Sequence, residues 1–290
     1  MERRTWIQKV SLSAAAVAGF NLSAGAQPNS LSLYVPRFRG NRLGIISNTF
    51  RDASENNWQR ALHQVSALGY HFLEGGPPKD VDPKIFAREV QAAGLTSICL
   101  GGAMAGLQKD LDPVLRSAEA LQSQYIICYW PWLSGADNID LSEAELAADN
   151  LNELGKKIKQ AGFRLAWHNH DKEFAALGEE TVFDYLMAQT DPELVAVQLD
   201  WYWVVKGNAD VIDLLRRYPG RMELAHVKDM NNNRDRGMTC AGSGIIDFAS
   251  ILPEAEAMGT QYLIVENERA IDGIRCARGS IHHLKTLLPA

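Results

Sequence analysis

Phe163-Arg164-Leu165-Ala166-Trp167-His168-Asn169-His170 is the stretch on which the reading of the whole chain turns. Gly162 stops the helical pattern before it, and the apolar run that follows, with Leu165 and Trp167 in alternation, predicts a buried strand. Successive side chains of a strand point to opposite faces, so His168 and His170 share one face. Such a pair is as readily packed or solvated as it is metal-binding or catalytic. The ends of the neighbouring strands decide between these readings.

Outward from that strand at 163–168, strand and helix alternate. Before it lie apolar runs at 43–47, 70–74, 95–100 and 125–129. They are separated by helical patterns at 57–68, carrying Trp58, Ala61, Leu62, Val65 and Leu68, and at 85–93 and 111–121. A capping-box pattern, Ser142-Glu143-Ala144-Glu145, opens a long helix that runs to Gly162. After the central stretch come strands at 194–199, 222–227 and 262–265, with helices at 181–188, 211–218, 248–258 and 281–288. Strict alternation with near-continuous apolar strands means a parallel sheet covered by helices, and eight units close a barrel. The expected fold is therefore α/β, a single-domain (β/α)8 TIM barrel over 43–290. An open doubly wound sheet would want a glycine fingerprint after its first strand, and Ser47-Asn48-Thr49-Phe50 is not one. Gly242-Ser243-Gly244 lacks the G-x-G-x-x-G spacing and reads as a loop feature.

Composition narrows the function. A chain of 290 residues, 46% hydrophobic and 22% charged, can bury a large core, and its net charge of -6 argues against nucleic acid as the main partner. The N-terminus stands apart. Arg3-Arg4, an apolar run from Ser11 to Phe20 and Ala24-Gly25-Ala26 resemble a bacterial twin-arginine export signal. That resemblance implies a signal peptide at 1–26, a lead-in at 27–42 and a periplasmic or otherwise exported protein. It also implies no stable membrane span after cleavage, because the run is short for a bilayer. The four cysteines show no C-x-x-C spacing. Cys99 and Cys128 lie in apolar runs as buried thiols. Cys240 and Cys276 fall in loops after the last two strands, where a disulfide between them is open in an oxidising compartment.

In a (β/α)8 barrel the active site sits at the carboxyl ends of the strands. The last four strands end in His168, Asp200, His226 and Glu266, which puts two imidazoles and two carboxylates on one rim. Mixed nitrogen and oxygen ligation suits one divalent metal ion: Mn, Zn, Fe or Co. Each member also has a plain structural reading: Asp200 as a helix cap, His226 as a core histidine, Glu266 as one of an exposed pair with Glu268.

From Leu43 onward the chain resembles the xylose isomerase-like TIM-barrel superfamily of sugar isomerases and epimerases. The matching residues are Trp167-His168-Asn169-His170 with Glu173-Phe174, Gln198-Leu199-Asp200-Trp201, Ala225-His226-Val227-Lys228-Asp229, Gly242-Ser243-Gly244 with Asp247-Phe248, and Val265-Glu266. The resemblance implies that His168, Asp200, His226 and Glu266 bind the metal. It also shows one departure: the epimerases usually carry glutamate at the end of strand five, paired as acid and base with the glutamate of strand eight. Here that position is His168.

Strand parity makes His170 and Lys228 the catalytic candidates, with Glu173, just past the strand, as a third; Lys228 reads equally as a salt-bridge partner of Asp229 or Glu266. Glu74, ending strand two, is a substrate contact or a rim carboxylate. Trp130, Trp132, Trp167, Trp201 and Trp203 gather at the ends of strands four to six, and Trp130, Trp132 and Trp201 are expected to meet a carbohydrate. The expected function is a metal-dependent sugar or keto-sugar isomerase or epimerase. A metal-dependent dehydratase or lyase on an oxidised sugar or glycoside is the rival, and a non-catalytic carbohydrate-binding barrel is the third reading. A homo-oligomer is open. The superfamily's DNA-repair endonucleases fit poorly with an acidic chain.

Overall fold

The computed structural model describes Phe38, residues 43–135 and residues 139–289. The expected export signal at 1–26, and the lead-in at 27–42 apart from Phe38, lie outside the described residues. Phe38 is buried in the core, ahead of the expected start of the barrel at 43, and its N–H donates to Glu256 Oε1 at 2.9 Å.

Eight strands close the barrel: β1 (Gly44–Ile46), β2 (Phe72–Glu74), β3 (Thr96–Ala103), β4 (Tyr125–Trp130), β5 (Arg164–His168), β6 (Val195–Asp200), β7 (Leu224–Val227) and β8 (Tyr262–Val265). They pair in parallel in chain order, and β8 returns to β1. One side-chain parity fills the interior with Ile98, Ile127, Ala166, Ala196, Leu224 and Ile264. The other parity, including Leu165, Trp167, Val197, Leu199, Val227 and Val265, packs outward against the helices. Continuing the inward parity of β5 to β8 by two residues turns apolar filling into His168, Gln198, His226 and Glu266. The same alternation that builds the core therefore delivers the polar rim. Near that rim β3 passes so close to β4 that a Cβ on Gly101 would lie 1.8 Å from the Ile127 carbonyl oxygen. Only glycine fits there, and the wall above it stays bare.

The helices are α1 (Arg51–Leu68), α2 (Pro83–Ala92), α3 (Met104–Lys109), α4 (Asp112–Leu121), α5 (Leu141–Gln160), α6 (Val182–Gln189), α7 (Trp201–Lys206), α8 (Val211–Arg217), α9 (Phe248–Ala257) and α10 (Gly273–Leu287). Several differ from the sequence reading for local reasons. The cap of α5 is Asp140, which accepts from the Glu143 N–H at 2.9 Å, and not Ser142. α1 contains the expected helix but begins earlier and breaks at Asn57, whose Oδ1 caps the second part by accepting from Arg60 N–H at 2.8 Å. α10 begins at Gly273, so Cys276 lies in a helix and not in a loop. It is nonetheless bonded to Cys240, with Cα atoms 5.4 Å apart. α3 and α7, six residues each, are too short to show periodicity. Among the described residues no helix is long and apolar enough to cross a membrane.

Candidate metal centre and active-site cavity

His168, Asp200, His226 and Glu266, from or just past the ends of β5, β6, β7 and β8, are 4%, 0%, 1% and 6% exposed. One ligand atom from each lies within 4.8 Å of the others. His168 Nδ1 and His226 Nδ1 lack a hydrogen-bond partner, while Asp200 Oδ2 and Glu266 Oε2 are met by the Lys228 ammonium at 3.1 and 2.8 Å. Nδ1 of His226 lies 2.7 Å from Oε2 of Glu266 without hydrogen-bond geometry. A buried polar atom left unpaired costs roughly 1–3 kcal/mol. A cation among these four would pair both nitrogens and share the two carboxylate oxygens with Lys228, and the donor set suits a divalent ion that accepts nitrogen and oxygen.

The far sides of the ligands are held by protein. His226 Nε2 donates to Glu74 Oε2 at 3.0 Å, which turns Nδ1 toward the other ligands. Glu74 is itself fixed by Gln198 Nε2 at 2.7 Å and by the Tyr129 hydroxyl at 2.8 Å. Asp200 divides its oxygens: Oδ1 caps α7 by accepting from Trp203 N–H at 3.0 Å, while Oδ2 faces the cluster. The capping reading of Asp200 is thus met by one oxygen, and the other is left where the ligand reading would need it. Asn169 Oδ1 accepts the Asp200 N–H at 2.8 Å and ties the end of β6 to that of β5.

A cavity of about 490 Å³ opens over the cluster. Its polar side carries His168, His170, His226, Lys228, Glu266 and Glu268, and Tyr129, Trp130 and Trp203 add an aromatic wall. Toward β1–β3 it is lined by Ser47, Asn48 and three glycines. The volume falls within the roughly 300–1,000 Å³ typical of small-molecule sites.

Of the catalytic candidates, His170 and Lys228 line this cavity, as parity requires. The His170 ring is packed by Trp130 at 5.0 Å and Trp203 at 5.2 Å, and its Nδ1 is unpartnered. Burial pushes its imidazole down to about 4, so it is neutral near pH 7. Burial likewise holds His168 well below the usual range, helped by the His226 and His170 rings. For His226 burial works downward, but the Glu74 and Glu266 carboxylates prevail and raise it.

Lys228 is 1% exposed, with Nζ 3.1 Å from Asp200, 2.8 Å from Glu266 and 2.9 Å from Glu268. Burial opposes its charge, yet those three carboxylates hold it well above its ordinary value, so it is an ammonium. Asp229 is not its partner. That carboxylate accepts from the Gly242, Gly244 and Ile246 N–H groups at 2.9, 2.9 and 3.1 Å, which explains the Gly-Ser-Gly motif as the anchor of the loop after β7.

Four residues expected at the site stand elsewhere. Glu173 does not line the cavity. It accepts from Trp132 Nε1 at 2.9 Å and from the His170 N–H at 2.8 Å, and burial pushes its carboxyl up to about 7. Trp132 is thus a buried support. Trp201 packs outward on Phe248 at 5.9 Å. Glu74 is buried beneath the rim and holds His226. Among the expected substrate contacts Trp130 lines the cavity, and Trp203 joins it. Sequence reasoning missed Glu268, Gln198 and Asn169 as functional groups, although their strand-end positions and the His-Asn-His motif contain them.

The fold and the cluster together describe a barrel enzyme with four buried side chains that could hold a metal ion, and with His170 and Lys228 in the cavity above them. The Xylose isomerase-like TIM barrel family matches residues 62–287, and the chain belongs to it. It is 32% identical over 273 residues to an inosose dehydratase of Salmonella agona, covering 79% of this chain and 89% of the relative. An inosose dehydratase of Geobacillus kaustophilus is 32% identical over 247 residues, with coverage of 72% and 80%. Among solved structures, a sugar phosphate isomerase/epimerase from Parabacteroides distasonis superposes with a TM-score of 0.73 at 20% identity, over 86% of this chain and 94% of that one.

Proposed function

We propose that this chain is a divalent-metal-dependent lyase that removes water or an alcohol from a keto-polyol or oxidised sugar, by abstracting the proton beside the ketone. The observation that carries the reading is the pairing of one neutral base with one ammonium. Among the described residues lining the cavity, His170 is an unprotonated imidazole whose Nδ1 has no hydrogen-bond partner, while Lys228 is fully charged. Elimination needs one base and one acid; epimerisation by opposed carboxylates needs two, and β5 carries His168 where one would stand. The names of the relatives support the same choice.

His168, Asp200, His226 and Glu266 would hold the divalent ion, which when bound would supply positive charge beside the ketone oxygen. The His170 imidazole accepts the α-proton, and the Lys228 ammonium lies on the ligand side to donate one toward the leaving oxygen. Tyr129, Trp130 and Trp203 orient the ring and exclude water. The isomerase reading predicts a product of unchanged mass. Incubation of the metal-loaded chain with a keto-inositol, followed by mass spectrometry, separates the two: loss of water supports the lyase, and a product of conserved mass overturns it.

Export stands as a second proposal. The Cys240–Cys276 bond suits an oxidising compartment, and the twin-arginine pattern supplies a route to it. Mass measurement of the periplasmic protein tests cleavage after Ala26.

A further inference from the structure

A second cavity of about 220 Å³ adjoins the first and shares Ser47, Asn48 and Gly76 with it. Five of its seven remaining lining residues are apolar: Phe50, Leu62 and Phe86 are 1%, 2% and 3% exposed, Trp58 and Pro78 are half-buried, and Arg51 and Ser54 add a polar edge. Trp58 lies immediately after the break in α1 at Asn57 and packs its ring 5.4 Å from that of Phe86. The partition between the cavities is built from small side chains and from the Gly75-Gly76 turn. Gly75 has φ +136°, and a Cβ there would lie 2.4 Å from Ser47 Oγ. The chain thus places an aromatic recess beside a polar, ligand-bearing site, with little bulk between them.

We infer that this recess is a subsite for an apolar, preferably aromatic, substituent of the substrate, so that the enzyme takes an oxidised glycoside and not only a bare ring. The inference rests on the reading of the larger cavity as the reaction site. A sugar ring against Trp130 and Trp203 occupies the first cavity, and its substituent passes Gly76 to lie between Trp58, Pro78 and Phe86. Burial of a flat aromatic group in such a recess is worth roughly 25 cal/mol per Å² of apolar surface removed from water.

The test is calorimetric titration of the metal-loaded protein with 4-nitrophenyl β-D-glucoside and with methyl β-D-glucoside, in wild type, Trp58→Ala and Gly76→Val. A Cβ at Gly76 meets only Leu100 Cδ1 and Cβ, at 3.4 and 4.0 Å, so the valine narrows the partition without backbone strain. The aromatic glycoside is expected to bind at least tenfold more tightly than the methyl glycoside, and both variants are expected to abolish that ratio. Equal affinities in wild type, including no measurable binding of either, overturn the subsite, as does a ratio that survives both substitutions. A Trp58-dependent preference in a protein that eliminates from no keto-sugar upholds the subsite while refuting the lyase. Elimination without any preference does the reverse.

Discussion

Glu74 holds His226: its Oε2 accepts from Nε2 of the imidazole at 3.0 Å inside the barrel, with the two residues 152 positions apart in the chain. The bond fixes both the ring orientation and the nitrogen that is left for an ion. Glu74→Gln keeps the shape but puts an amide among three donors, those of Tyr129, Gln198 and His226. Metal affinity should fall by about 10–100-fold without loss of the fold, as for other outer-shell partners of metal-binding histidines. Competition titration with a chelating dye measures it; unchanged affinity contradicts the assignment.

Lys228 is the buried counter-charge of Asp200, Glu266 and Glu268. Lys228→Met removes the ammonium and leaves the carboxylates uncompensated. The metal-free protein should lose about 3–5 kcal/mol in denaturant unfolding. Metal affinity should rise, because a positive charge beside the ligands has gone, while turnover collapses. Weaker metal binding in the variant would show that Lys228 organises the ligands and does not oppose the ion.

Glu173 gives a pH signature. Its carboxyl titrates at about 7 in the fold against about 4.3 in an unfolded chain. The native state therefore holds the proton more tightly. This contribution to stability is fully present below the unfolded value and is lost as pH rises through 7, on the order of 3 kcal/mol. Glu173→Gln should flatten the decline in melting temperature between pH 5 and 8, measured by calorimetry. It should also lower turnover by freeing Trp132 and the His170 backbone. An unchanged pH slope sinks the idea.

The Cys240–Cys276 bond closes a span of 36 residues. By loop-closure entropy its removal costs roughly 3–4 kcal/mol. Cys240→Ala with Cys276→Ala should lower the melting temperature while leaving the metal content unchanged.

Much of the fold was legible because parallel barrel strands are apolar on both faces and their helices stop at glycines such as Gly69, Gly94, Gly162 and Gly259, all with positive φ. The grouping of His168, Asp200, His226 and Glu266 was legible because each stands at or within one residue of a strand end. Strand parity then identified His170 and Lys228, which both reach the cavity. What parity does not carry is depth. Glu74 shares the inward face but sits one layer below the rim, so it braces a ligand in place of meeting a substrate. Tryptophans close in sequence diverge for a different reason: Trp201 and Trp203 stand on helix α7, where residues two apart point to opposite sides, so Trp203 reaches the cavity while Trp201 packs outward. The recess beside Gly76 joins α1, α2 and the loop after β2, which no local pattern relates.

One ion at the ends of β5 to β8 is central to the proposed chemistry, and elemental analysis of the purified protein beside its His226→Ala variant tests it most directly. About one Mn, Zn, Fe or Co per wild-type chain is predicted, with none retained in a variant whose circular dichroism shows the barrel intact. Stoichiometric metal in the variant, or a wild-type chain that takes up no added divalent ion, would contradict it.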